Sequence, residues 1–563
     1  MPNNDFTATN LSTWDVVEDT PTDNYATLNP LASEDSSHLT LSEGNLRAEL
    51  TNAGQATTSP ATFPFPSSGK WYAEVYAEYM GTADPTRPKV GLTPNAYFGD
   101  YSVDSQLQGS GEYSYEKGGD KCSATSCSAY GSAWTTGDII GVAYDATAGT
   151  LTFYKNNTSQ GTAFSGVSGE LFLAISGYAT SSTTNTFVLN FGQDPTFAGN
   201  KSGGATSEFF YTPPSGFSAL STGNLATPTI AKPSEHFLPV IYTGASPSDK
   251  TVTGVGFQAD LTWIKSRNQT YDHVLYDSVR TATEELYPNT TGVEVTDTNG
   301  LKSWNSDGFV VGSDGEVGDP TGTRISWNWK KSATAGFNIV GWTGDDDGFS
   351  GGTQAVAHGL GVAPEMVIAK NRTDEAGGNG NWIVYHKDTT SGDLLKLDTA
   401  DGEFTPNSTL IGSIGSTNVS FGNDSLYYEY LNSDNSWGSG TADTYIGYFF
   451  ASVESYSKVG SYTGNGSADG PFVYFGFRPS FLIVKRAGGS GHWYMYDSTR
   501  SPYNELDLSL KADSSGTETT YGSLDLLSNG FKWRMTDSAR NGSGETYIYV
   551  AFAESPFKYA NAR

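Results

Sequence analysis

Three observations predict an all-β protein of several domains. The chain has 563 residues, more than one hydrophobic core accommodates and enough for about three to five domains. It carries 66 Gly beside 33 Tyr, 29 Phe and 12 Trp, a mixture that favours short aromatic strands joined by tight turns. Long Ala/Leu/Glu/Lys stretches with helical periodicity do not occur, so helices are expected only as minor decoration.

Residues 1–35 are polar, with few apolar anchors (Trp14, Val16, Val17, Leu28 and Leu31), and are expected to form an N-terminal arm or docking segment that orders on a partner. The next domain is expected over 36–210. SHLTLSEGNLRAEL (37–50) alternates enough to supply its first strands. GKWYAEVYAEY (69–79) sets Trp71, Ala73, Val75 and Ala77 against Tyr72, Glu74, Tyr76 and Glu78, a strand with two different faces. WTTGDIIGVAYDATAGTLTFYKNN (134–157) is strand, turn, strand, and FLAISGYA (172–179) and TFVLNFG (186–192) add two more.

The order WYAEVY (71–76), VGL (90–92), WTTGDIIGVAYD (134–145), TLTFYKNN (150–157), GTAF (161–164) and VLNFGQDPTF (188–197) resembles a SPRY domain. The resemblance covers about 130 residues. It implies a twisted antiparallel β-sandwich that presents loops for protein binding and has no catalytic site. Cys122 and Cys127 lie in an insertion between framework strands, so binding loops do not transfer by analogy. The two cysteines are open to either reading, a local disulfide or two free thiols.

A Pro/Ser/Thr-rich linker is expected over 211–236, within YTPPSGFSALSTGNLATPTIAKPSEHF (211–237), with room for a last strand of the first domain. Beyond it the chain repeats itself. YTG (242–244), WTG (342–344) and YTG (462–464) open three copies, expected over 237–336, 337–456 and 457–563. Each opening leads to an apolar strand: GFQADLTWIKSR (256–267), GVAPEMVIAKNR (361–372) and GFRPSFLIVKRA (476–487). Lys265, Lys370 and Lys485 hold corresponding places. YDHVLYDSVR (271–280), NWIVYHKDTT (381–390) and HWYMYDSTR (492–500) follow as hairpin partners, with Tyr276, Tyr385 and Tyr496 in register. TRISWNW (323–329), DTYIGYFFA (443–451) and ETYIYVAFA (545–553) close the copies. A unit this long is too large for a solenoid turn. Each copy is expected to be a small β-sandwich or β-barrel with its own core, or to share a strand that fuses the copies, since only KKSATAGFNIVG (330–341) separates Trp329 from copy two. The YTG opening, the P-x-x-x-I-x-K strand and the closing ESPF (554–557) resemble a unit of marine bacteriophage tail and structural proteins. Copy one departs from the pattern, with Ala259 where the others have Pro364 and Pro479.

The formal net charge of −29 repels phosphate backbones and anionic bilayers, so neither nucleic acid nor membrane insertion is expected. No run of about 20 apolar residues occurs, and the N-terminus MPNNDFTATN lacks the basic and apolar regions of a secretory signal. A protein working outside a cell would then leave it by lysis, within an assembled particle, or through another exporter.

Carboxylates are plentiful at Asp345, Asp346, Asp347, Asp374, Glu375, Asp398, Asp401 and Glu403, but a glycosidase pair must lie about 5 to 9.5 Å apart, and any acidic sequence can nominate one. DDDGFSGG (345–352) suits a hard cation yet lacks EF-hand spacing and does not recur. The histidines (His38, His236, His273, His358, His386 and His492) show no zincin spacing. His386 stands where the other copies have Asp277 and Asp497, which is read as an outward-facing, non-essential side chain. Neither a nucleophile elbow nor a P-loop nor a dinucleotide fingerprint is found. The three corresponding lysines are read as structural, each stem covering a core edge with its ammonium free. Trp382, Tyr385, Trp493, Tyr494 and Tyr496 are assigned chiefly to core packing, with stacking on sugar rings or on a partner subunit as the alternative.

The expected function is therefore non-catalytic, with no catalytic, cofactor or metal residues: a virion protein, tail or fibre component, mediating protein docking and host-surface attachment. Its expected partners are other virion proteins, a host cell-surface glycan or protein, and further copies of itself in a homo-oligomer. A capsid decoration or fibre-anchoring protein and a tail-associated polysaccharide-degrading enzyme are the alternatives.

Overall fold

The computed structural model describes residues 19–20, 22–32, 38–52, 56–81, 88–94, 107–178, 183–345, 352–373, 380–424, 429–433 and 442–560. The chain is all-β. The α-helices among these residues are two four-residue turns, Gly315–Gly318 and Ser538–Asn541. It divides between Ala226 and Thr227 into two compact units.

The first unit is an antiparallel sandwich. One sheet runs, edge to edge, Leu39–Ser42, Arg47–Asn52, Thr183–Asn190, Lys70–Met80, Ile139–Asp145, Thr150–Lys155 and Thr158–Ser165. The other runs Ala56–Pro60, Phe172–Tyr178, Lys89–Thr93, Tyr113–Glu116, Asp120–Ser123 and Ser126–Ala129. Cys122 and Cys127 face each other across the last hairpin and are joined as a disulfide.

The two-faced pattern of Lys70–Met80 does not become one wet face and one dry face. Everything from Trp71 to Ala77 is buried. The outer face is roofed by the segment after Asn190. Phe197 and Phe210 pack at Tyr76, and Phe209 meets Tyr72 edge-on at 5.0 Å. Within the stretch expected to be a linker, Ser218–Ala219 pairs in parallel with Trp71–Tyr72.

In the second unit each copy builds the same sheet. Copy one runs Phe237–Thr243, Thr323–Trp329, Leu261–Ser266, Val274–Asp277 and Thr281–Leu286. Copy two runs Phe337–Thr343, Thr444–Phe450, Met366–Asn371, Ile383–His386 and Leu395–Lys396. Copy three runs Ser457–Thr463, Thr546–Pro556, Phe477–Arg486, Tyr494–Asp497 and Leu506–Lys511. The expected hairpins form, with Tyr276, Tyr385 and Tyr496 opposite Thr262, Val367 and Leu482. In copies one and two a smaller sheet covers one face; in copy one Ile264 and Val274 pack there on Phe309 and Val311. In copy three the main sheet itself continues through Thr519–Leu527 and Gly530–Trp533.

The repeated glycine of each opening is a matter of space. A Cβ on Gly244, Gly344 or Gly464 would lie 2.0, 2.1 or 2.4 Å from a backbone carbonyl oxygen, so no larger residue fits.

The other face of each main sheet turns toward the other two copies. Trp263, Ile368 and Ile483 stand at equivalent positions, as do Trp329, Phe450 and Phe552. All six line one apolar cavity of about 30 Å³ where the three sheets meet. Rings interlock across copies there: Phe237 stacks on Phe552 at 5.1 Å, Trp327 meets Phe481 at 5.7 Å, and Phe450 meets Phe552 at 6.1 Å. The copies therefore form a closed ring of three about a pseudo-threefold axis. A sheet buried on both faces reads as a near-continuous apolar run, as LTWIKS, MVIAKN and FLIVK do.

Candidate functional site

Several of the side chains that sequence reasoning singled out lie at the seams between copies. Immediately before the hairpin-partner strand of each copy, His273, Trp382 and Trp493 are equivalent and buried. Each bonds a carbonyl of the preceding copy in the ring. His273 Nε2 lies 3.0 Å from Lys511 O, Trp382 Nε1 donates to Tyr287 O at 3.0 Å, and Trp493 Nε1 donates to Lys396 O at 2.8 Å. His273 Nδ1 accepts from Trp263 Nε1 at 2.9 Å, which leaves the proton on Nε2. Burial holds this imidazole well below its ordinary pKa.

A second set of contacts ties the same seams with the donors on the other side. The backbone N–H groups of Glu294, Glu403 and Glu518 donate to Arg372 O, Ala487 O and Arg267 O. At two of these seams the side chains pair as well, Arg372 with Glu294 at 2.6 Å and Arg267 with Glu518 at 2.8 Å.

A third set corrects the reading of His386. Trp327 Nε1 donates to Asp497 Oδ2 at 3.1 Å, and Tyr448 Oη donates to Asp277 Oδ2 at 2.8 Å. The position equivalent to Trp327 and Tyr448 in copy three is Val550, which has no donor. Opposite it, copy two has His386 in place of aspartate, and its Nε2 lies 3.2 Å from Tyr549 O. His386 is 1% exposed, neither outward-facing nor idle. Burial lowers its pKa to about 4.

The lysines are corrected too. Lys265, Lys370 and Lys485 are fully buried, not edge-covering, because the neighbouring copies cover the face on which they stand. Their ammonium groups are not free. Lys370 donates to Thr291 O of copy one at 3.0 Å, Lys485 to Gly491 O at 2.7 Å and Ala400 O of copy two at 3.3 Å, and Lys265 to Ser266 O at 2.9 Å. Burial lowers Lys265 and Lys485 to about 8.

Asp398 is drawn into the frame: burial raises it to about 6, and its Oδ1 accepts from Trp382 N at 2.9 Å. Asp346, Asp347, Asp374 and Glu375, and with them most of DDDGFSGG, lie outside the described residues. His492 pairs with Asp513 at 2.7 Å, and His358 Nε2 lies 3.0 Å from Gly415 O. Trp382, Trp493, Tyr494 and Tyr496 are core residues, and Tyr385 is half-buried.

What remains on the surface includes two aromatics that the sequence reading passed over. Tyr503 and Tyr521, both in copy three, are 83% and 62% exposed. Tyr521 is held from beneath by Arg540, whose guanidinium lies 5.0 Å from its ring centroid and 4.2 Å from that of Tyr494. Arg540 is itself fixed by Asp537, by Tyr496 Oη at 2.7 Å and by Tyr521 O at 2.9 Å. Tyr521 is thus an exposed ring on a rigid base. The sequence signal was faint, because TTYGSLDLL alternates weakly and its partner Arg540 is 19 residues away.

An antiparallel sandwich joined to a closed three-copy β body defines the class: a multidomain all-β protein with a SPRY domain, which residues 70–194 match. Residues 232–556, more than half of the chain and all three copies together, match the family described as "Domain of unknown function (DUF7483)", and the chain belongs to that family. Among solved structures it is similar to a human SPRY domain (21% identity, 27% of this chain and 94% of that one, TM-score 0.23). It is also similar to the SPRY domain of human HERC1 (18%, 28% and 95%, 0.23) and to the TRIM65 PSpry domain (14%, 30% and 92%, 0.21). No curated protein matches the chain.

Proposed function

We propose that this chain is a non-catalytic bacteriophage virion protein, a tail or fibre component that docks to other virion proteins and attaches to a host-surface glycan or protein. The observation that carries this reading is the Tyr521 platform. A ring locked on a buried guanidinium offers stacking area at little entropic cost, as attachment to sugar rings or protein requires. The lysines and histidines at the seams support it, because their nitrogens are committed to carbonyls inside the ring. The resemblance of the copies to phage structural proteins and the charge of −29 accord with a particle-surface role.

The test is a side-chain-resolution reconstruction of the assembled particle, paired with glycan-array binding of the wild-type chain and of Tyr521→Ala. Distal placement and array binding lost in the variant are expected. Burial between tail components or flat placement on a capsid would overturn host attachment, and release of reducing sugar from a bound polysaccharide would overturn the non-catalytic assignment.

A further inference from the structure

Copy two carries a group of three side chains that the other copies lack. Glu429 is buried, its side chain 2% exposed, and its Oε1 accepts from both Lys396 Nζ, at 2.9 Å, and Asn381 Nδ2. Its Oε2 accepts the Asn381 backbone N–H at 3.3 Å. Strand pairing fixes the geometry: Ile383 lies opposite Lys396, which brings Asn381 to the end of the same hairpin. Asn381 is 9% exposed, and the Phe404 ring lies 5.2 Å from the Lys396 ammonium. The equivalent pairs are Asp272 with Tyr287 in copy one and His492 with Lys511 in copy three. Neither offers an amine and a carboxamide together.

A lysine amine and an asparagine amide held on one carboxylate oxygen are the components of a transamidation. We infer that Lys396 and Asn381 become joined by an intramolecular isopeptide bond, with Glu429 carrying the proton. Glu429 takes a proton from the Lys396 ammonium, and the freed lone pair attacks Cγ of Asn381. The carbonyl π electrons move onto Oδ1. As they return, the Cγ–Nδ2 bond breaks and Glu429 delivers its proton to the departing nitrogen. Glu429 then takes the second proton from the attacking nitrogen, which becomes the neutral amide, and passes it to the ammonia, which departs as ammonium. One C–N bond forms and one breaks; nothing is oxidised or reduced, and no co-reactant is needed. Fixing both groups on one oxygen supplies the proximity that such a slow reaction requires.

Intact-mass spectrometry of the denatured full-length chain is the test. The expected mass is about 17 Da below that of the sequence, the mass of the ammonia lost. A tryptic digest is expected to contain a branched peptide joining residues 373–387 to 388–458, uncut after Lys396. Lys396→Arg and Asn381→Ala should each restore the full mass, and Glu429→Gln should leave the chain unlinked. An unshifted wild-type mass would overturn the inference whatever the variants do. So would a loss confined to the linear peptide 373–387, which marks an internal succinimide.

Discussion

The sandwich and the three-copy body bury their polar groups to different ends. In the sandwich, Glu74 sits inside the main sheet and ties down the roofing segment, accepting the Phe210 and Tyr211 N–H groups at 2.8 Å each. One carboxyl serves one local closure. In the body, buried polar groups recur at equivalent positions, and several of them join one copy to the next. The difference shows what repetition does to a sheet. A single sandwich can cover its second face with its own chain, whereas three equal sheets cover one another, and polar seams set the order in which they meet.

The largest effect that would break this comparison is expected at a seam. Asp277→Ala removes one of the two carboxylates paired with the fully buried Arg280, leaving Glu294 at 3.1 Å, and at one stroke the acceptor of Tyr448 Oη. A loss of about 3 kcal/mol is expected, the lower end for a broken buried pair because Glu294 still faces Arg280, read by denaturant unfolding. A wild-type midpoint would mean that the seam does not hold the ring.

Acid should act next. Because the folded pKa of His386 lies below its ordinary value of 6.5, its contribution is intact above pH 6.5 and is lost as the pH falls towards 4. The raised Asp398 and Glu316 carboxyls slope the other way, so the informative quantity is the difference between the wild type and His386→Phe. That difference should change by about 3 kcal/mol across the window. A difference that stays flat with pH would return His386 to the idle role.

Glu74 sharpens the contrast with the opposite sign. Burial raises it from 4.5 to about 7, so its contribution to the sandwich is complete below pH 4.5 and is lost as the pH rises to 7. Glu74→Gln should remove the slope, which hydrogen exchange of the Phe210 and Tyr211 amides at pH 5 and 7.5 would report. The smallest effect belongs to Lys70→Ala. Its pair with Asp145 is 3.0 Å long but leaves the lysine 45% exposed, so a loss under about 1 kcal/mol is expected in thermal melts.

Much of the architecture was legible in the sequence. The SPRY-like strand order, the three openings and the hairpins with their tyrosine register follow from local pattern, because strand periodicity is a property of neighbouring residues. What escaped depends on partners far along the chain. Comparing copies showed that position 386 had changed, but a changed residue on a surface and one compensating a change at Val550 look alike in a single column. The run LTWIKS placed Lys265 at the end of an apolar strand without telling that both faces are covered. The clue was the short link between copies, whose consequence is packing and not only proximity. Tyr521 was missed because its base, Arg540, comes from another part of the copy.

The compensated seam at Val550 also labels the copies. Copy one carries both a donor, Trp327, and an acceptor, Asp277, so its two ends match and it could in principle close a ring with replicas of itself. Copies two and three do not repeat that match: Tyr448 would face His386 in place of an aspartate in one case, and Val550 would leave Asp497 unanswered in the other. Their side chains work as addresses, readable only by the neighbour that each has in this chain. A gene with copies two and three exchanged would encode the same strands and the same composition, yet misdirect its seams.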